Sequence, residues 1–274
     1  MRYSLAALGS ILLIVAALSS ADVLLYDSFD NYPDGQVDGV GGQADIGSYD
    51  GDWSGSTAGG SAEFEDGKLK IWRPSGSWSE GFYRAQINPD ASPGGTAYYF
   101  SGLLTVDDGV NTVRFGLNND QDGDDRRQEI GFTESGNAAI WSNASIGDID
   151  SPAAETASTY AFGDTYLLVA KVEDKLHWDG DDDRVTLWID PVLGTSEEDN
   201  AAALQALVGW DGFYPDQPGL TDFAFQAGTN DEGETVTLDD LRVGDSWADV
   251  VIPEPTTIAL LGIGAFAALR PRRR

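Results

Sequence analysis

The chain has 274 residues, with 46 acidic and 16 basic side chains, one histidine and no cysteine, for a formal net charge of −30. Such a surface offers no basic stripe to displace counterions from nucleic acid, and an anionic membrane surface repels it. Without cysteine there is neither disulfide nor thiolate, and a single histidine supplies no ligand set for zinc or a redox metal, so stability rests on core burial or bound calcium.

The chain opens with Arg2, an apolar run from Leu5 to Leu18 broken by Gly9 and Ser10, and the small residues Ser19, Ser20 and Ala21. This order predicts a signal peptide over residues 1–21, cleaved after Ala21. The expected mature domain, residues 22–252, keeps 11 of the 16 basic and 45 of the 46 acidic residues, a balance of −34. Aspartate outnumbers glutamate by 34 to 12, and aspartate favours turns and hard-cation sites over helices.

Short apolar alternations separated by Gly, Asp, Asn and Pro fill that domain, the pattern of a sandwich or barrel. Strands are expected at Leu24–Phe29, Lys68–Trp72, Gly81–Ile87, Ala97–Val106, Asn111–Leu117, Gln128–Thr133, Ala138–Trp141, Tyr166–Val172, Arg184–Ile189, Phe223–Ala227 and Glu234–Val243. Between the first two, Tyr32–Ser61 is rich in Gly, Ser and Asp and reads as a long loop with room for one edge strand. Only Asp199–Val208, with its run of alanines and leucines, reads as a helix. About a dozen strands with one short helix predict an all-β chain of two packed antiparallel sheets.

Several constellations could carry chemistry. Asn118, Asp120, Asp122, Gly123, Asp124 and Glu129 satisfy the spacing of a calcium loop, with four carboxylates and an amide in 12 residues. Their flanks read as strands, so the alternative is an acidic hairpin tip whose residues form a turn. Asp179–Asp183 has similar composition without a distant glutamate. Glu129-Ile130-Gly131-Phe132-Thr133-Glu134 resembles the E-I-D-x-x-E strand of retaining glucanases of concanavalin-like fold. That resemblance makes Glu129 and Glu134 the two catalytic candidates, but Gly131 stands where the family has an orienting Asp. Positions five apart on an unbulged strand also face opposite ways, so no catalytic pair is assigned. His177 reads as a surface histidine. Trp53 and Trp78 lie in polar surroundings and are candidate platforms for stacking on sugars, whereas Trp141, Trp188 and Trp247 read as packing.

At the C-terminus, Pro253-Glu254-Pro255 breaks any helix or strand, 14 apolar residues follow from Thr256 to Leu269, and four arginines close the chain. A 14-residue helix is about 21 Å long against a hydrocarbon core of about 30 Å, which makes a marginal anchor with its arginines held on the cytoplasmic side. An ordinary short membrane anchor is the alternative. The three-part order resembles the PEP-CTERM sorting tail of Gram-negative bacteria. That resemblance implies export, transient insertion in the inner membrane, recognition by a membrane-embedded exosortase, removal of the tail near Pro253-Glu254-Pro255, and association with an envelope or matrix rich in extracellular polysaccharide.

Tyr26-Asp27-Ser28-Phe29-Asp30-Asn31-Tyr32-Pro33-Asp34-Gly35 near the start, Val185-Thr186-Leu187-Trp188-Ile189-Asp190-Pro191 in the middle, and Leu238-Asp239-Asp240-Leu241-Arg242-Val243-Gly244-Asp245-Ser246-Trp247-Ala248-Asp249-Val250 near the end are similar to motifs of concanavalin A-like, laminin-G-like jelly-roll domains. The resemblance implies first and last strands side by side, and a calcium position near Asp30 and Asp240 where they meet. The sequence therefore divides into a signal peptide (1–21), a jelly-roll sandwich (22–252) and a sorting tail (253–274). It reads as an exported, non-catalytic structural or glycan-recognising protein. A glycoside hydrolase or polysaccharide lyase of the same fold, and a domain that binds a protein partner, are the alternatives.

Overall fold

A computed structural model of the protein describes residues 23–37, 40, 43–45, 54–57, 61–72, 79–86, 97–108, 110–119, 126–143, 152–173, 183–208, 222–229 and 234–251. Strands dominate them and form two antiparallel sheets. In one, β14 (Leu204–Val208), β13 (Asp183–Ile189), β12 (Thr165–Glu173), β7 (Ala97–Val106), β16 (Thr235–Gly244), β5 (Lys68–Trp72), β4 (Ser61–Glu65) and β2 (Gly35–Gln36) follow in that order. The ninth strand of this sheet, β1 (Val23–Asp27), also lies against β16. The second sheet runs β11 (Ala154–Thr159), β10 (Asn137–Asn143), β9 (Arg126–Thr133), β8 (Val110–Asn119), β15 (Asp222–Thr229), β6 (Ser79–Gln86) and β3 (Ser54–Thr57).

Alternation explains why the sheets face each other. Val113, Phe115 and Leu117 of β8, Ile130 and Phe132 of β9, and Phe223, Phe225 and Ala227 of β15 all enter one buried cluster with Leu104, Leu168 and Leu187 of the opposite sheet. Side chains two apart share a face, so every second residue meets the other sheet. Phe115 links the layers, its ring centroid 5.9 Å from that of Phe100 across the core and 6.3 Å from that of Phe223 beside it.

The first and last strands are neighbours, as the jelly-roll resemblance implies. Strand β16 pairs with β7 along one edge, while its other edge is shared by β5 up to Leu238 and by β1 from Leu241. The changeover falls at an irregularity between Asp239 and Arg242, where Asp240 takes φ of 51°. The outer face of this sheet carries a second apolar cluster of Tyr99, Val169, Trp188, Trp247, Val250 and Val251. Trp247 and Val250 come from the short helix α1 (Trp247–Val250), capped by reciprocal bonds between Ser246 and Asp249.

The expected helix over 199–208 is not formed. A 3-10 turn spans Glu197–Asp199, and Leu204–Val208 is edge strand β14, whose Leu204 and Ala206 stand opposite Leu187 and Val185. Sheet hydrogen bonds to β13, reinforced by Gln205 Nε2 donating to Thr186 Oγ1 at 3.0 Å, override the intrinsic helix preference of the alanines and leucines. The Tyr32–Ser61 stretch holds two short strands rather than one, β2 and β3. Strand β11 escaped the sequence reading because it is an edge strand of small polar residues, mostly exposed.

A polar cluster on the outer face of the seven-stranded sheet

The residues of β8, β9, β10 and β15 that do not enter the core occupy the sheet's other face. Arg114 lies between core residues Val113 and Phe115, Glu129 precedes Ile130, Trp141 follows Ile140, and Gln226 sits between Phe225 and Ala227. Register brings them together: Arg114 is paired with Gln226 on one side and Gly131 on the other, and Glu129 is paired with Gly116 and Trp141. The two glycines make this possible. A Cβ at Gly131 would run into Val113 O, and one at Gly116 into Gln128 O, so β8 and β9 approach closely only with hydrogen at both positions.

Arg114 organises the cluster. Its Nε and Nη2 donate to Gln226 Oε1 at 3.0 and 2.8 Å, its Nε lies 3.0 Å from Glu129 Oε2, and its Cζ stands 5.9 Å from the Trp141 ring centroid. Because the Nε hydrogen is directed at Gln226, the contact with Glu129 is charge against charge. The side chains of Arg114 and Glu129 are 2% and 0% exposed. Among the described residues, Arg114 Nη1, both Glu129 carboxylate oxygens and Trp141 Nε1 are buried with no hydrogen-bond partner. The cluster thus combines balanced charge with unused donors and acceptors.

The two catalytic candidates are not brought together. Glu129 is buried against Arg114, whereas Glu134 is exposed in the turn after β9, which ends at Thr133. Five residues of strand separate them by about 16 Å, not the roughly 5 Å of a retaining pair. Glu129 also serves as counter-ion to Arg114, away from the role expected in a calcium loop. Of the other expected loop ligands, Asn118 is placed only by its backbone pairing with Arg127 and Asp222, while Asp120, Asp122 and Asp124 lie outside the described residues. So do Asp179–Asp182, His177, Trp53, Trp78, Pro253, Glu254 and Pro255, together with the expected signal peptide and apolar tail. No described helix is long and apolar enough to cross a membrane. Trp141, Trp188 and Trp247 are 2%, 4% and 8% exposed, as expected of packing residues. Arg114 and Gln226 were missed, although each is a polar residue alone amid the apolar alternation of a central strand.

The junction of β1 and β16 gathers carboxylates. Buried Asp27 accepts from Phe29 N and from the Tyr32 hydroxyl, both at 2.8 Å. Asp240 Oδ1 accepts from the Tyr26 hydroxyl at 2.9 Å. Asp239 Oδ1 accepts from Asp240 N at 2.8 Å, and its Oδ2 lies 3.8 Å from Lys68 Nζ. Burial, with the negative charge of Asp240 beside it, pushes the Asp239 carboxyl up from 3.8 to about 6. Asp30 packs over Gly67, whose φ of 70° and lack of Cβ leave space for that carboxylate. Calcium does not fit this junction as it stands. A tyrosine, a backbone amide and a lysine already engage the oxygens, and no group of three or more acidic or histidine side chains among the described residues could hold a metal.

Comparison with known proteins identifies the tail first: residues 251–274 match the PEP-CTERM protein-sorting motif, which marks an exported protein sorted to the cell envelope. A search of curated sequences returned no match. Similar solved structures include the metal-free carbohydrate recognition domain of Emp46p (13% identity, 71% of this chain and 88% of that one, TM-score 0.47). Others are the carbohydrate-binding module CBM66 from Bacillus subtilis (13%, 70% and 94%, TM-score 0.42) and a glycosyl hydrolase family protein from Mycobacterium fortuitum (14%, 81% and 99%, TM-score 0.47).

Proposed function

We propose that this exported, envelope-sorted protein is a non-catalytic glycan-recognising domain working in extracellular polysaccharide, and that the outer face of the seven-stranded sheet is its recognition surface. The observation that carries this reading is the Arg114, Glu129, Gln226 and Trp141 cluster with its unfilled hydrogen-bond capacity. Replacing a buried ion pair by apolar residues is often neutral or stabilising, so stability alone gives this sheet little reason to keep one. Sugar hydroxyls both donate and accept, and the unpartnered atoms are of both kinds, guanidinium and indole N–H as donors and carboxylate oxygens as acceptors; all four are shielded from solvent in this structure, so a glycan engages them only once this face is uncovered. The second carboxylate that hydrolysis needs is not beside Glu129, since Glu134 is exposed in the turn after β9, and this favours binding over hydrolysis.

Trp141→Phe tests the reading, because it removes the indole N–H while keeping a large aromatic ring. Affinity for the glycan selected on an array is expected to fall about 10-fold, the loss of one hydrogen bond in a buried site. Unchanged affinity in the variant, or no glycan bound by the parent, would overturn it. Calcium enters this reading only through the Asn118–Asp124 segment. Melting temperatures in calcium and in magnesium at equal ionic strength test that part separately.

A further inference from the structure

The folded domain ends next to an exposed apolar tip. Val251 is 3% exposed, and its N–H bonds to Trp247 O at 3.2 Å, while Ser101 Oγ donates to Val250 O at 2.9 Å. The chain is therefore anchored to the sheet up to Val251, one residue before Ile252 and two before Pro253. Two residues of extended chain span at most about 7 Å, and the five to Thr256, where the apolar run begins, about 18 Å. A tail only 14 residues long in its apolar part has no slack to reach outward. While the tail is in the bilayer, this end of the domain stands at the membrane, within reach of whatever acts on the Pro-Glu-Pro segment.

The surface there is built to stay fixed. Trp247 Nε1 donates to Thr195 O at 2.8 Å, tying helix α1 to the loop from Pro191 to Asn200. Asn200 braces that loop from inside: its Oδ1 accepts from Val192 N, and its Nδ2 donates to Thr195 Oγ1 and Ser196 O, all at 2.8 Å. The braced loop presents Val192 at 64% and Leu193 at 49% exposure, the two exposed large hydrophobic residues among the described ones. Glu198 and Asp199, exposed a few residues on, add negative charge beside them.

We propose that the Val192–Leu193 tip is a docking surface for the membrane-embedded enzyme that processes the tail, a partner with an apolar pocket and a basic rim. The acidic neighbours favour such a protein surface over an anionic bilayer, which would repel them. The proposal stands apart from glycan recognition, because it uses the opposite sheet and a different readout.

The test follows conversion of the full-length chain to its shortened form in the producing cell, by pulse-chase and immunoblot. Both residues are exposed, so Val192→Asp with Leu193→Asp should leave the melting temperature of the exported domain unchanged. Conversion of this double variant is expected to slow at least about five-fold, the loss of a modest interface contact. Conversion at the parental rate, or a parent that is never shortened, would overturn the proposal. So would binding of the exported domain to vesicles of phosphatidylethanolamine and phosphatidylglycerol that the double variant loses, since the tip would then read lipid.

Discussion

Arg114 and Glu129 show how a single pair can define a surface. Each lost its hydration on folding; Arg114 regains part of it through Gln226, while Glu129 is compensated by the charge of Arg114 alone. Arg114→Met should therefore destabilise by about 3–5 kcal/mol, because a buried carboxylate is left uncompensated. Adding Glu129→Leu should return most of the loss, which urea unfolding of the single and double variants would check. Asp239 carries the opposite kind of signature. Its folded pKa of about 6 lies above the ordinary 3.8, so between those values the folded state binds more protons than the unfolded one. Stability then falls as pH rises through that window and stays at the lower level above it. Asp239→Asn removes the penalty and should raise the melting temperature at pH 7.5 by an amount worth about 1–2 kcal/mol, after discounting for partial exposure. That gain should vanish below about pH 4. A gain independent of pH would assign the effect to something other than the carboxyl. Neither behaviour was legible in the sequence, where Arg114 and Asp239 are ordinary charged residues. Burial and register, set by distant strands, give them their chemistry.

Elements were more legible than sites. Strands such as Lys68–Trp72 and Ala97–Val106 match their expected bounds, because alternation with a buried partner on one face is a strong local signal. Segment 199–208 misled because its alanines and leucines favour helix locally, and only pairing with β13 turns them into an edge strand. Two element-level effects follow. Gly131→Ala would force a methyl group into Val113 O of the neighbouring strand β8. The expected cost is about 1–3 kcal/mol of overpacking, with loss of the aligned Arg114–Glu129 contact, measurable by chemical denaturation. Helix α1 has four residues and no stability of its own, so its hold on the sheet rests on Trp247 and Val250. Trp247→Ala should cost about 3–5 kcal/mol and free the chain end from Thr195. Hydrogen exchange at Val251 N would report that release as fast exchange in the variant against protection in the parent.

At the scale of the whole molecule, the two-sheet architecture and the sorting tail were both readable, the first from period-two patterning and the second from a short ordered motif at the C-terminus. The polar cluster proposed for recognition was not, since it is assembled from four strands between residues 110 and 229. The large negative charge acts on the molecule as a whole. Self-repulsion is screened by salt, so raising sodium chloride from about 20 to about 500 mM should raise the melting temperature of the exported domain. Recognition of polysaccharide without cleavage separates a binding protein from an enzyme of this fold. Its most direct test is to incubate the purified exported domain with polysaccharide from the producing cell, following bound protein and new reducing or unsaturated chain ends together. Saturable binding is expected, weakened by Trp141→Phe, with no increase in chain ends over many hours. Chain ends that accumulate with the parent and stop with Glu129→Gln would contradict it and make Glu129 the catalytic carboxylate of an enzyme.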